Sequence, residues 1–536
     1  MKRLLAAIFT LFFLAANAQQ NTLLTPAFWQ GKPDAAAIKA EVDKGNSPSQ
    51  FNGSNFDPVV MAINADASTE SIKYLLSQPG NEVNKVTHDS RNYLHWAASK
   101  GNTEVMEYLL SKGAVIDNED SHGSTPLFFA AGAAQSNTKV YDLLIAKGAD
   151  LKKDVNSDGA NVLLLAIAND KELALTNYFV SKGLDLNSTD AAGNNAFSYA
   201  ARSGNVEVLK SLVQKGIKPN PYAMLMAAQG SRRGANTIEV YQYLESLNIK
   251  PAVTGKNGEN VLHAIVRKQN QTDIIKYFLA RGVDVNQQDE EGNSVFMNAV
   301  AANRDTAVIV MLLPHIKNIN LVNEKGVSAL AMAVRGNLPG VVSYLIGKGA
   351  VVKGLDKSGN TLAYYALESY RPAGGPGFGG PGGQAPSGGR PGAQGGPGQA
   401  GAGRADAAGR PGERTFNGPK PEDFETKIKI LQKEGLDITA PQENGNSLYH
   451  LAVVKNDISL LKRLQPLGLD VNAKNKEGFT ALHKAALISK DDVVLKYLLS
   501  IGAKTDVKTN FEETAFDLAS ENEYLTKNNV SLTFLK

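Results

Sequence analysis

The stretch that decides the fold is TALHKAALISKDDVVLKYLLSIGA at residues 480–503. Apolar residues recur in it at helical spacing, in two short runs. Thr480 stands before the first run, where a side-chain oxygen can accept from the free N–H groups of a starting helix. Gly502 follows the second run and suits a left-handed helix end. The stretch therefore predicts two short helices joined by a turn.

Both halves of this stretch recur along the chain. TPLFFAA at residues 125–131 matches TALHKAA at 480–486, and YLLSKGA at 108–114 matches YLLSIGA at 497–503. The glycines at positions 80, 113, 148, 183 and 216 are 33, 35, 35 and 33 residues apart. A helix pair of this size cannot bury its apolar faces alone, so the period predicts a stack of repeats.

The first residue of the TALH phrase is polar in thirteen copies. Each copy places there a side chain whose oxygen can cap a helix. The residues are Thr25, Asp57, Asn92, Thr125, Asn161, Asn195, Asn260, Ser294, Ser328, Thr361, Ser447, Thr480 and Thr514. Proline follows three of them and is pre-set for the first helical turn.

These phrases resemble the Thr-Pro-Leu-His core and the Gly-Ala-Asp-x-Asn end of the ankyrin repeat. The resemblance covers nearly the whole chain after residue 18. It implies an all-α ankyrin-repeat α-solenoid of about 14 helix–turn–helix units with projecting β-turns, whose first and last units act as caps.

Residues 1–18 have the pattern of a bacterial signal peptide. A positive start at Lys2 and Arg3 precedes thirteen apolar residues and the small-x-small sequence at 16–18. We therefore expect an exported chain that begins at Gln19 and is not inserted in a membrane. With no cysteine it cannot be a lipoprotein, so the periplasm or the outside of the cell is its expected location.

One Gly/Pro-rich segment, residues 372–418, interrupts the repeats. It has too few apolar groups to offset its ordering entropy and is predicted to be a disordered loop. Thr361 and Ser447 are 86 residues apart, which places the insertion inside one repeat. Residues 19–371 and 419–536 are thus predicted to form N-terminal and C-terminal stacks of the same solenoid.

Composition excludes several classes of function. The chain has no cysteine, which rules out disulfides, thiolate zinc sites and a cysteine nucleophile. Its formal charge is only +3 over 536 residues, so no overall charge favours nucleic acid or an anionic membrane. No catalytic or nucleotide-binding motif is present, and we expect neither an enzyme nor a bound cofactor.

Four of the seven histidines occupy the fourth position of the TALH phrase: His95, His263, His450 and His483. The ankyrin resemblance implies that this histidine ties one repeat to the next turn. Because there is one per repeat, the four should form a ladder and not converge on a metal, which would need three or four ligands in one small sphere.

In ankyrin-like proteins, partners are usually held by the projecting turns and by the residues after the Ala-Ala pair. The corresponding candidates here are Arg91, Lys100, His122, Arg202, Arg267, Glu291, Arg335, Lys357 and Lys476. Basic residues predominate after the Ala-Ala pair, which indicates either an acidic partner or ordinary solubilising charge.

The sequence favours a non-enzymatic protein-binding scaffold of the bacterial envelope that holds another protein in its concave groove. Two alternatives stay open. One is an envelope spacer or polymer-binding element that acts through the glycine-rich loop. The other is a regulator, immunity protein or protective partner of another exported enzyme.

Overall fold

The predicted cap residues mark where the first helix begins in thirteen helix pairs. In the computed structural model, which describes residues 21–230, 234–370 and 420–536, all thirteen lie directly before a helix. The predicted signal peptide, residues 1–18, and the insertion, residues 372–418, lie outside the described residues. The chain divides into two compact units, one ending at Lys250 and the other starting at Pro251.

The first unit contains seven helix pairs in its described residues. In chain order its helices are α1 (Pro26–Gln30), α2 (Ala35–Asp43), α3 (Pro58–Asn64), α4 (Thr69–Leu76), α5 (Tyr93–Lys100), α6 (Thr103–Ser111), α7 (Pro126–Gly132), α8 (Thr138–Ala146), α9 (Val162–Ile167), α10 (Ala174–Ser181), α11 (Ala196–Ala201), α12 (Val206–Gln214), α13 (Ala223–Gln229) and α14 (Ile238–Ser246).

The second unit likewise contains seven pairs where it is described. Its helices are α15 (Val261–Ile265), α16 (Thr272–Leu279), α17 (Val295–Ala302), α18 (Thr306–Leu312), α19 (Ala329–Gly336), α20 (Pro339–Gly347), α21 (Leu362–Ser369), α22 (Asp423–Lys433), α23 (Leu448–Val454), α24 (Ile458–Leu464), α25 (Ala481–Ile488), α26 (Val493–Ser500), α27 (Ala515–Glu521) and α28 (Glu523–Lys527).

Each odd-numbered helix is the first of its pair and packs beside the first helices of the neighbouring pairs. In the second unit this row runs from α15 through α17, α19, α21, α23 and α25 to α27. The buried apolar residues lie mainly on these first helices and on the facing sides of the second helices. The predicted all-α repeat fold is confirmed, with seven described helix pairs in each of the two units.

The turns between pairs project with little regular strand structure. Between pairs of described residues, extended pairing consists of four isolated antiparallel bridges, such as the one between Val322 and Ser328. The pair that begins with α13 departs from the pattern, because this helix starts only seven residues after Gly216 and leaves no room for a full turn. Part of its inter-helix loop, residues 231–233, lies outside the described residues.

The helix that follows the insertion completes the pair that α21 begins. Phe424, Ile428 and Leu431 of α22 are fully buried, and this helix packs against both α20 and α21. The ring of Phe424 lies 6.4 Å from that of Tyr370, the last residue described before the insertion. The insertion therefore occupies an inter-helix loop, and α21 and α22 belong to one repeat.

Candidate protein-binding surface

Neighbouring projecting turns are joined by backbone hydrogen bonds. The amide of Glu324 donates to the carbonyl oxygen of Glu291 at 3.0 Å, and the amide of Lys357 donates to that of Lys325 at 2.9 Å. Asparagine side chains join the turns again at their base. The side-chain N–H of Asn320, for example, donates to the carbonyl oxygen of Gly349. The side-chain oxygen of the same residue accepts from the backbone N–H of Val351. The turns are thus held in a fixed register.

The four repeated histidines form a second set of links. The Nε2 atoms of His95, His263, His450 and His483 lie 2.8–3.2 Å from carbonyl oxygens in the following turns, on Ser124, Asn293, Phe479 and Val507. In the last three, Nδ1 accepts the backbone N–H of the cap residue, so each ring is neutral and Nε2 donates.

Burial lowers the pKa of all four rings. For His95, whose side chain is fully buried, desolvation brings the pKa down to about 4. It also lowers the pKa of His263, His450 and His483. In His263, His450 and His483 a protonated ring would lose the Nδ1 acceptor, so these three histidines act as structural links in their neutral form. In His95, Nδ1 lies 2.8 Å from the side-chain oxygen of Asn92 instead.

Most of the predicted cap residues accept a backbone N–H from the first turn of their helix. Ten do so through a side-chain oxygen: Asp57, Asn92, Asn161, Asn195, Asn260, Ser294, Ser328, Thr361, Thr480 and Thr514. The Ser447 hydroxyl lies 2.8 Å from Nδ1 of His450.

Thr25 and Thr125 do not cap their helices through the side chain, so the predicted role is wrong for these two. Both precede a proline, but so does Asp57, which caps α3 through its side chain, so the proline does not account for the difference. The hydroxyl of Thr25 instead donates to the carbonyl oxygen of Thr22.

The prediction that Arg91 faces a partner is also wrong. Its side chain is only 5% exposed, and its guanidinium donates to Asp120 at 2.8 Å and to Asp89 at 3.0 Å. The same group stacks 4.2 Å from the ring centre of Phe129. The turn tip is His88–Ser90, where Asp89 and Ser90 adopt left-handed backbone without a glycine. Arg91 follows this tip and lies directly before the cap Asn92, as Ser124 lies before Thr125.

The candidates at the ends of the first helices all lie at the surface to differing degrees. Arg335 is exposed near the end of α19, and Arg202 and Arg267 are half-buried just beyond α11 and α15. Lys100 ends α5 and is engaged by Asp66 at 2.8 Å, which leaves 14% of its side chain exposed. Arg202, Arg267 and Arg335 occupy the same register position, seven residues after their caps.

The remaining candidates are exposed on the projecting turns: His122, Glu291, Lys357 and Lys476. They occupy the two tip positions of their respective turns. Lys357 lies 3.9 Å from Glu324 of the preceding turn, which is too loose a pair to hold either charge firmly.

Sequence reasoning missed one buried cation in the repeat that contains the insertion. Lys427 of α22 has no exposed surface, and its ammonium donates to the carbonyl oxygen of Val334 at 2.8 Å. In other repeats the carbonyl at this register position accepts from an asparagine, as Val300 does from Asn337. The usual asparagine precedes the second helix, and no sequence signal marks a lysine within that helix as its substitute.

Within the described residues, no group of three or more histidine, aspartate or glutamate side chains is arranged to hold a metal ion. The expectation of no metal, no cofactor and no catalysis stays a prediction. Across the same part of the chain, no helix is both long and apolar enough to cross a membrane.

Comparison with known families agrees with this geometry. A profile described as "Ankyrin repeats (3 copies)" matches residues 59–154, 132–223 and 429–530, and one described as "Ankyrin repeats (many copies)" matches residues 261–313. The chain belongs to the ankyrin-repeat family. Ankyrin repeats generally serve as scaffolds for protein–protein interaction, and these matches together cover more than half of the chain.

Two curated ankyrin-repeat proteins show similarity to short parts of the chain. The human 26S proteasome non-ATPase regulatory subunit 10 is 35% identical over 57 residues, which are 11% of this chain and 25% of that protein. The zebrafish Notch-regulated ankyrin repeat-containing protein A is 38% identical over 56 residues, 10% of this chain and 49% of that protein. The chain thus spans less than half of either relative.

Proposed function

We propose that this chain is an exported, non-enzymatic scaffold of the bacterial envelope that holds a partner protein against its first helices and projecting turns. The observation that carries the proposal is the fixed register of the turns. Backbone bonds such as that from Glu324 to Glu291 hold them in rows, while the tip side chains between those bonds stay exposed and vary from repeat to repeat.

Such a surface is suited to binding because little of it must be ordered when a partner arrives. Each immobilised flexible side chain costs roughly 0.5–1.5 kcal/mol on association, and mobile loops cost more. Here the turn backbones are already fixed by their neighbours, so the partner orders only the exposed side chains. The proposal assigns the contacts to the turn tips and to Arg202, Arg267 and Arg335.

Retention of a partner from envelope extract tests the proposal. Immobilised wild-type chain should retain at least one protein, and simultaneous Arg202→Glu, Arg267→Glu and Arg335→Glu substitutions should abolish that retention. A matched control reverses three exposed lysines on second helices, Lys210, Lys276 and Lys429, and should retain the partner. If the wild-type chain retains no protein, or if the wild type and both variants retain the partner equally, the assignment of the contacts to the first helices and turn tips is overturned.

Export is tested separately, by fractionating cells that produce the chain. The expected product lies in the periplasm or medium and begins at Gln19. A product that stays in the cytoplasm with residues 1–18 attached would contradict export but would leave the scaffold function open.

A further inference from the structure

The first helices α23 and α25 present an apolar face near the end of the second unit. Residues three and four apart share one side of a helix, which groups Leu451 with Val454 in α23 and Lys484 with Leu487 and Ile488 in α25. Val454 is 57% exposed, Leu487 41% and Ile488 39%. These five side chains are called the α23–α25 face below.

The face is continuous across the two helices. α23 packs directly beside α25, and the axes of packed helices are about 8–10 Å apart. Val454 and Leu487 lie at the same register position, seven residues after Ser447 and Thr480. Their side chains therefore stand next to each other on the stack.

The same register position is polar or small in the other repeats of this unit. The described residues there are Arg267, Ala301, Arg335, Glu368 and Glu521. A cluster of exposed apolar side chains bordered by polar residues is typical of a binding surface. The α23–α25 face is thus distinct within its unit.

One cation on the face has no counter-charge. Lys484 is half-buried, and no carboxylate of the described residues lies within ion-pair distance of its ammonium group. Lys455, which follows α23 on the same side, is by contrast paired with Glu368 at 2.9 Å. An unpaired ammonium beside apolar side chains would gain from a carboxylate brought by a partner.

We propose that the α23–α25 face binds a peptide segment of the partner protein that carries two large apolar side chains and a carboxylate. The apolar side chains cover Val454 and the Leu487–Ile488 pair, and the carboxylate meets Lys484. This inference rests on the proposed scaffold function and names the chemistry of the segment it holds.

Selection from a random-peptide library displayed on phage tests the inference, with the purified full chain as target. Enriched peptides should share two large apolar residues and an aspartate or glutamate. Leu487→Asp and Lys484→Glu should each weaken their binding about tenfold or more, equivalent to about 1.4 kcal/mol. Val310→Asp is the matched control, since Val310 is 46% exposed on the second helix α18, and it should bind as the wild type does.

A charge exchange sharpens the test. Replacing the acidic residue of an enriched peptide by lysine should weaken its binding to the wild type and restore its binding to the Lys484→Glu chain. Circular dichroism of each variant checks that the helices are retained, and a variant that fails this check is replaced by Leu487→Ser or Lys484→Gln.

Three results would overturn the inference. The first is enrichment of peptides without an acidic residue, or of none at all. The second is a wild-type chain that sediments as a dimer and a Leu487→Asp chain that sediments as a monomer, because the face would then bind a second copy of the chain. The third is an envelope partner retained equally by wild-type and Leu487→Asp chains, which would leave the scaffold function intact.

Discussion

At the scale of single residues, the buried Arg91 shows how an apparent surface cation becomes part of the core. Its guanidinium lies between the ring of Phe129 and the carboxylate of Asp120, whose side chain is 1% exposed. A planar group that can donate in two directions and stack on an aromatic ring is needed here, and a lysine lacks that geometry. Arg91 therefore joins the α5 repeat to the α7 repeat.

We expect Arg91→Ala to lower the free energy of unfolding by about 3 kcal/mol, because it leaves Asp120 buried without its counter-charge. Urea denaturation followed by circular dichroism measures the change. Arg335→Ala is the control, since this side chain is exposed and its loss should change stability by no more than about 0.5 kcal/mol. Equal effects of the two substitutions would contradict the structural role of Arg91.

The buried histidines make stability depend on pH. In the unfolded chain an imidazole binds a proton near pH 6.5, whereas His95 in the fold does so only near pH 4. The unfolded state therefore binds more protons between these values, and the free energy of unfolding falls as the pH drops below about 6.5. The loss from His95 is complete near pH 4.

We expect His95→Gln to make the pH dependence of stability shallower, by up to about 1.4 kcal/mol per pH unit between pH 6.5 and pH 4. Urea midpoints at several pH values within this range measure the slope. A slope equal to that of the wild type in His95→Gln would show that this ring titrates normally.

Much of this residue-level organisation could be predicted from the sequence. The cap residues and the four histidines stand at fixed positions of the repeat, so their local roles follow from the period. Arg91 could not be assigned correctly, because Ser90 takes the left-handed position that glycine marks in other turns, as Gly123 does. The role of Lys427 could not be predicted either, because it depends on where α22 packs against the stack after the insertion.

At the scale of elements, the projecting turns depend on close backbone approach. Gly326 has a φ of +75°, and a Cβ atom added there would lie 2.7 Å from the amide nitrogen of Lys357. That nitrogen donates the bond that links its turn to the preceding one. A side chain at this position would therefore both strain its own backbone and disturb the hydrogen bond between the two turns.

Gly326→Ala should lower the free energy of unfolding by about 1–2 kcal/mol, the usual cost of left-handed backbone with a side chain. Gly347→Ala is a matched control at the end of α20, where a Cβ atom would meet nothing within 4 Å. That change should raise the free energy of unfolding by about 0.4–1 kcal/mol, because alanine reduces the conformational entropy of the unfolded chain. Urea denaturation distinguishes the two, and a gain in stability from both would refute the turn argument.

At the scale of the whole molecule, each repeat contacts mainly the repeats beside it. α5 packs against α3, α6 and α7, and the same nearest-neighbour pattern holds for α25 with α23, α26 and α27. Stability is then approximately a sum of local terms and neighbour interfaces. Damage in one repeat should consequently spread only a short distance.

Hydrogen exchange can measure that distance. In Arg91→Ala, amide exchange should accelerate in residues 58–146, which hold α3 to α8 on either side of the lost contact. Residues 448–527, from α23 to α28, should exchange at the wild-type rate. Faster exchange throughout both units would mean that the chain unfolds as one cooperative body.

The way α22 completes the repeat begun by α21 has a consequence for how the protein can be made. Lys427 bonds to Val334, Phe424 packs near Tyr370, and the amide of Thr361 donates to the side chain of Gln442 at 2.8 Å. All of these contacts are noncovalent and join the chain before the insertion to the chain after it. Two separately synthesised polypeptides, one ending at Tyr370 and one beginning at Lys420, should therefore find each other and complement as a split protein.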